Sequence, residues 1–155
     1  MVSTDKPIWV AGRVTWLFST LYNNVEPREE WLELAGHGIV FLKKHAFDKD
    51  GRMFYSVTRD GRPLRKRRYL FSESFGVMAF AEYAKAAGDE SARHKARDIY
   101  RLMLQYHRTP GLLEPKMFPA TRQLKSHAMP MILLAITQVL RQVDEDPLYP
   151  EVVDD

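Results

Sequence analysis

The sequence predicts a mainly α protein: helical hairpins with one short β-hairpin inserted, together forming part of an α/α toroid. Three observations predict it. Apolar helices alternate along the chain with amphipathic ones. The apolar helices begin near residues 7, 71 and 126, so a helix pair with its loop takes about 55–65 residues. Between the second and third helices the helical periodicity gives way to strand and turn signals. Apolar helices paired with amphipathic ones describe concentric rings, with the apolar helices lining a central cavity. A closed ring of six pairs would need about 350 residues at this spacing. The chain has 155, which gives two and a half pairs, so residues 1–155 are expected to form a single incomplete domain.

The first helix is expected over 7–23. Pro7 suits a first turn and Asn23-Asn24 suit an end. Between Lys6 and Glu26 the only charge is Arg13. A helix that is apolar nearly all round is buried. Arg13 is therefore expected inside the protein, with Trp9 and Trp16 one turn to either side. A buried guanidinium needs a partner or a wet cavity. Aimed into a cavity with aromatic walls, it would bind an oxygen-rich ligand.

The second helix, 28–46, opens on acidic residues as the helix dipole prefers. Trp31, Leu34, Ala35, Ile39 and Leu42 form its apolar stripe. Asp48 to Gly51 reads as a turn, Met53 to Thr58 as a strand, and Arg59 to Pro63 as a second turn, with the return strand near Arg68 to Leu70. The third helix, 71–87, is again apolar and stops at Gly88, a favourable C-terminal cap. The fourth, 90–107, turns Ala92, Ala96, Ile99, Met103 and Tyr106 inward. Residues 109–125 hold three prolines and no periodicity, and read as a loop. The fifth helix, 126–143, carries Pro130 in its first turns, where proline is tolerated.

Composition excludes several classes. Hydrophobic residues make up 45%, which argues against disorder. A net charge of +3 is too small to imply nucleic acid. There is no cysteine, so disulfides and thiolate metal sites are excluded. The start lacks a secretory pattern, and the cytoplasm is the default compartment. The apolar stretch 8–22 is too short to span a bilayer, so no membrane partner is expected.

Each candidate site has a plainer reading beside it. Arg13 could be a satisfied core arginine paired with a carboxylate such as Glu73. Glu73, in the first turn of the third helix with Ser72 before it, could serve the helix dipole while Ser72 caps. Its apolar neighbours also permit a cavity carboxylate. Of the five histidines, His37, His45, His94 and His107 fall on amphipathic helices or their ends and read as solvated. Only His127, opening the fifth helix, could reach a cavity. No metal-ligating spacing is present. Asp48 to Gly51 mimics a calcium loop, but Ala46 and Val57 stand where its outer ligands belong. The run Arg65 to Arg68 reads as a solvated or anion-contacting loop rather than a nucleic-acid site. The residues Asp144, Glu145, Asp146, Asp154 and Asp155 read as an acidic tail.

Taken together, the residues resemble the N-acylglucosamine 2-epimerase family. The matching stretches are Asp5 to Val14, Trp16 to Asn23, Glu26 to Glu33, Asp50 to Gly61, Phe71 to Phe75, Tyr83 to Glu90 and Thr121 to Ile132. Their order and spacing carry the resemblance across residues 5–143. It implies an (α/α)6 barrel that epimerises a sugar at C2 through an enediolate, with no cofactor and no metal. In the family two histidines act as acid and base, and an arginine on the first conserved inner helix stabilises the enediolate oxygen. Arg13 matches that arginine. Trp9, Trp16, Phe71, Glu73 and Ser126 are the expected substrate-binding residues. Ser126 and Pro130 match the acylglucosamine branch, where cellobiose 2-epimerases have Asn-x-x-x-His. The family's two histidines lie in its second half, beyond the matched stretches, so this chain is expected to be inactive alone. A second chain or a homodimer could complete the barrel. The partner expected is a small-molecule sugar, not nucleic acid. The rival reading is a non-catalytic helical-repeat module that binds carbohydrate or protein.

Overall fold

The computed structural model describes residues 3–66, 69–115, 118, 120–121 and 126–154. Arg67 and Arg68 of the basic run, residues 116, 117, 119 and 122–125 of the loop and last matching stretch, and Asp155 lie outside the described residues. In chain order the elements are β1 (Lys6–Pro7), α1 (Ile8–Asn24), α2 (Glu29–His45), β2 (Phe54–Val57), β3 (Pro63–Lys66), α3 (Phe71–Ala87), α4 (Glu90–Arg108), α5 (Ala128–Leu140) and α6 (Leu148–Asp154).

α3 sits at the centre of the packing, against α1, α2, α4 and α5. It is buried almost all round, including Ser72, Glu73 and Glu82 as well as Val77 and Phe80. α3 ends at Gly88, whose φ of +64° is the left-handed cap that the sequence calls for. α4 begins on Asp89, whose Oδ1 accepts from the Ala92 N–H at 3.0 Å. The amphipathic stripes mostly hold: Ala35, Ile39 and Leu42 of α2, and Ala92, Ala96, Ile99 and Met103 of α4, are buried. Three members do not. Leu34 is exposed, and Trp31 and Tyr106 are only half-buried. Tyr100 replaces Tyr106 in the core. Its hydroxyl lies 2.6 Å from Thr137 Oγ1 of α5, and that hydroxyl donates to Leu133 O.

The inserted hairpin forms, but its return strand is β3 at Pro63–Lys66; of the expected Arg68 to Leu70, Tyr69 and Leu70 are not in a strand and Arg68 lies outside the described residues. The reason is the turn. Gly61 takes φ +87°, so the chain reverses at once. Lys66 then reaches back to Asp48 and Asp50, at 3.0 and 2.5 Å. Arg65 and Lys66 therefore belong to a strand: Lys66 is ion-paired within the molecule and Arg65 lies over the Tyr55 ring. A third strand, β1, pairs with β2 just before α1 starts. The acidic tail is also corrected. Asp144 is buried and accepts from the Tyr149 hydroxyl, and residues 148–154 form α6. Arg101 and Arg108 of α4 pair with Asp146 and Glu151.

Candidate functional site

α1 buries one large side chain, Ile8 at its start, and otherwise only Gly12, Thr15 and Ser19. They recur at helical spacing and make one narrow stripe, small from Gly12 onward. Small residues let helix axes approach closely. A Cβ on Gly12 would lie 3.1 Å from Phe75 Cβ of α3, and a Cβ on Gly38 of α2 would overlap the Thr15 hydroxyl. With the stripe turned to α2 and α3, the rest of α1 faces away. Val10, Val14 and Leu17 are exposed, Leu17 by 48%.

Arg13 is on that open side, and it is exposed. This corrects the expectation of a buried guanidinium. Apolar composition all round predicted burial, but closeness of approach selected the small face for the core. Arg13 still has an aromatic setting. Its guanidinium carbon is 5.8 Å from the centre of the Phe75 ring. Phe75 meets Phe71 edge to face at 5.3 Å, and the Trp9 indole lies 5.7 Å from Phe71 and 6.2 Å from Phe75. Trp16, one turn beyond Arg13, is half-buried against the core. Trp9 Nε1 is buried without a hydrogen-bond partner.

The structure thus brings together Arg13, Trp9 and Phe71, and adds Phe75. The signal for Phe75 was in the sequence: Trp9 and Arg13, like Phe71 and Phe75, are spaced by four on their helices. Ser126 is exposed at the start of α5, where its Oγ accepts from the Ala128 N–H at 3.3 Å. His127 beside it is exposed and makes no cap bond.

Glu73 is placed differently. It has no exposed surface with which to touch a ligand. Its Oε1 accepts from Arg52 Nε at 2.6 Å and from the Met53 N–H at 3.0 Å. The arginine it pairs with is therefore Arg52, not Arg13. Ser72 does not cap α3 either; its buried hydroxyl has no partner. Arg52 was not singled out from sequence, since nothing local distinguishes it from its basic neighbours.

An exposed cation above a patch of aromatic rings can hold an oxygen-rich ligand or a developing oxyanion. It cannot act as a base at neutral pH, because a guanidinium stays protonated. His37, His94, His107 and His127 are all exposed. Among the described residues no group of three or more His, Cys, Asp or Glu could hold a metal ion. None of the described helices is long and apolar enough to cross a membrane.

Comparison with known proteins adds a lineage to this geometry. The family model described as N-acylglucosamine 2-epimerase matches residues 1–154. The Bos taurus N-acylglucosamine 2-epimerase is 32% identical over 147 residues, which cover 91% of this chain and 35% of that protein. A cellobiose 2-epimerase of Dictyoglomus turgidum is 33% identical over 99 residues, 63% of this chain and 25% of that protein. Among solved structures, the cellobiose 2-epimerase of Spirochaeta thermophila superposes with a TM-score of 0.82 at 24% identity, over 98% of this chain and 42% of that one. That likeness shows the fold: the helices form part of an (α/α)6 barrel. The chain spans about a third of the length of the curated N-acylglucosamine 2-epimerase it matches.

Proposed function

We infer a sugar-handling role for the Arg13 face from one premise: the chain belongs to the N-acylglucosamine 2-epimerase family. In this reading the face is one wall of the lumen of a sugar isomerase. The substrate is N-acylglucosamine, N-acylmannosamine or a related aldose, epimerised at C2 through an enediolate. The observation that carries the reading is Arg13 itself, open to a ligand and standing over Phe75 beside Trp9 and Phe71. A cation held over an apolar floor when the barrel is complete would stabilise a developing oxyanion better than water does, because less reorganisation is needed. Trp9, Trp16 and Phe71 offer ring faces to the C–H surfaces of a sugar, and Ser126 offers a hydroxyl from the start of α5.

Removing the C2 proton needs a base within hydrogen-bond reach. Arg13 is not that base. The acid–base histidines that the resemblance implies belong to the family's second half. We therefore read this chain as inactive alone, a single incomplete domain whose barrel is completed by a second chain or by another copy, working in the cytoplasm without a cofactor. The test is proton NMR of N-acetylmannosamine in deuterium oxide. The isolated chain should leave the C2 proton in place. Exchange should follow when the remaining helices are added in trans, and Arg13→Ala should suppress it. Exchange by the isolated chain that vanishes in His127→Ala would overturn this reading and make the chain a catalyst in its own right.

The exposed row Val10, Val14 and Leu17 favours one rival, a non-catalytic module that binds carbohydrate or protein on this face. Sugar binding without exchange in every reconstitution would decide for it.

A further inference from the structure

We propose that Glu73 is a positioning residue, clamped by Arg52 and the Met53 N–H so that α3 holds Phe71 and Phe75 beneath Arg13. The proposal deepens the sugar reading of this face and rests on it.

The first turn of α3 lacks the usual fastenings. Leu70 at its N-cap has no side chain able to cap, and the Ser72 hydroxyl is unbonded. The tie that replaces them comes from the segment leading into β2. Glu73 Oε1 takes both the Arg52 Nε–H and the Met53 N–H. Met53 also packs into the notch at Gly76, where a Cβ would lie 2.6 Å from its sulfur. Arg52 is held in turn: Nη2 is 3.4 Å from Tyr69 O, and its guanidinium lies 4.6 Å from the centre of the Tyr106 ring. The segment before β2, the approach to α3 and the last turns of α4 thus converge on the Arg52–Glu73 pair.

Phe71 and Phe75 lie two residues to either side of Glu73. At 3.6 residues per turn they share the opposite flank of the helix, the flank that meets Trp9 and Arg13. A helix is stiff along such a short span, so fixing one flank fixes the other. The pair is also costly as a stabilising device. Two charges are buried, and Glu73 Oε2 has no partner. Such a pair can often be replaced by apolar residues without loss of stability. A geometric duty accounts for its presence where stability does not.

The experiment uses the full chain and follows the indole N–H resonance of Trp9, identified by its loss in Trp9→Phe. Three variants bear on Glu73. Glu73→Leu removes the clamp, Glu73→Gln keeps an acceptor for the Met53 N–H but loses the charge, and Arg52→Lys keeps the charge but loses the fork. The expected result is that Glu73→Leu, folded by circular dichroism, shifts and broadens the Trp9 resonance and weakens N-acetylmannosamine binding roughly tenfold through lost preorganisation. Glu73→Gln and Arg52→Lys should move the resonance in the same direction by less. An unmoved Trp9 resonance in a folded Glu73→Leu would overturn the proposal, leaving the pair a structural tie only. If the leucine variant does not fold, an unmoved resonance in Glu73→Gln has the same force. Absence of sugar binding by the parent chain would count against the sugar reading alone, since the Trp9 resonance is read without sugar.

Discussion

Arg13 separates what a residue's neighbours in sequence say from what its neighbours in space do. Its helix looked buried because it is apolar nearly all round. The packing instead chose Gly12, Thr15 and Ser19, because close approach to α2 and α3 requires small side chains. An exposed arginine holds little of the fold. Arg13→Ala is expected to change stability by less than about 0.5 kcal/mol. In a complete enzyme, loss of a preorganised donor to a developing oxyanion should lower turnover by roughly 10²–10³. Urea denaturation of this chain and kinetics at saturating sugar check the two halves; a large stability loss would return Arg13 to the structural reading. Gly61 shows the opposite dependence. Its φ is +87°, and a Cβ there would lie 2.0 Å from His45 Nδ1. Gly61→Ala should cost about 1–3 kcal/mol. Gly111, at φ +82° with open space around it, is the control. Gly111→Ala carries the backbone cost only, so equal losses by urea titration would mean that the His45 contact contributes nothing.

At the scale of elements, α6 is where the sequence was least informative and where a measurement is cleanest. The Tyr149 hydroxyl donates to the buried Asp144 at 2.6 Å. Tyr149→Phe removes that bond and leaves the carboxylate facing Arg97, 3.5 Å away. A loss of about 1–3 kcal/mol near neutral pH is expected. The pH dependence has a definite sign. Burial first, then the bond to Asp144, raises the Tyr149 hydroxyl above the usual tyrosine value. Its contribution is complete below the unfolded value of about 10 and fades as pH climbs past it. Stability of the parent chain should therefore fall more steeply above pH 10 than that of Tyr149→Phe; parallel alkaline limbs would refute the assignment. The five longer helices were legible from their period, and Gly88 ends α3 as the sequence suggests. α6 was not, since Pro147, Pro150 and four carboxylates between 144 and 151 mimic a solvated tail. What folds it is distant: Tyr149 is buried edge to face against Tyr100 of α4, and Arg97, Arg101 and Arg108 of the same helix pair with Asp144, Asp146 and Glu151. The site was legible in part for the same reason. Trp9, Arg13 and Phe71 stand out locally, whereas the pairing of Glu73 with Arg52 spans the hairpin and leaves no local mark.

At the scale of the whole molecule the described helices form part of an (α/α)6 barrel. α3 packs against both α1 and α5, and it is the helix whose apolar residues are nearly all covered. Its two flanking helices are not covered. α1 exposes Val10, Val14 and Leu17, and α5 exposes Met131, at 66%, and Leu134. These rows lie on two different helices that both pack on α3, so each chain offers two apolar edges. One edge would allow a dimer; two edges allow association to continue or to close, depending on the angle of the contact. Contiguous apolar surface of this kind drives association in water. The purified chain is therefore expected to self-associate in a concentration-dependent way. Light scattering across a wide dilution series would measure it. Leu17→Lys and Met131→Lys, each placing a charge on one edge, should shift the series toward monomer, and the double variant should do so more than either alone. Neither side chain is in the buried core, so folding by circular dichroism should be retained. A stable monomer at all concentrations would sink the expectation. Self-association abolished by one substitution alone would mean that a single edge carries the contact.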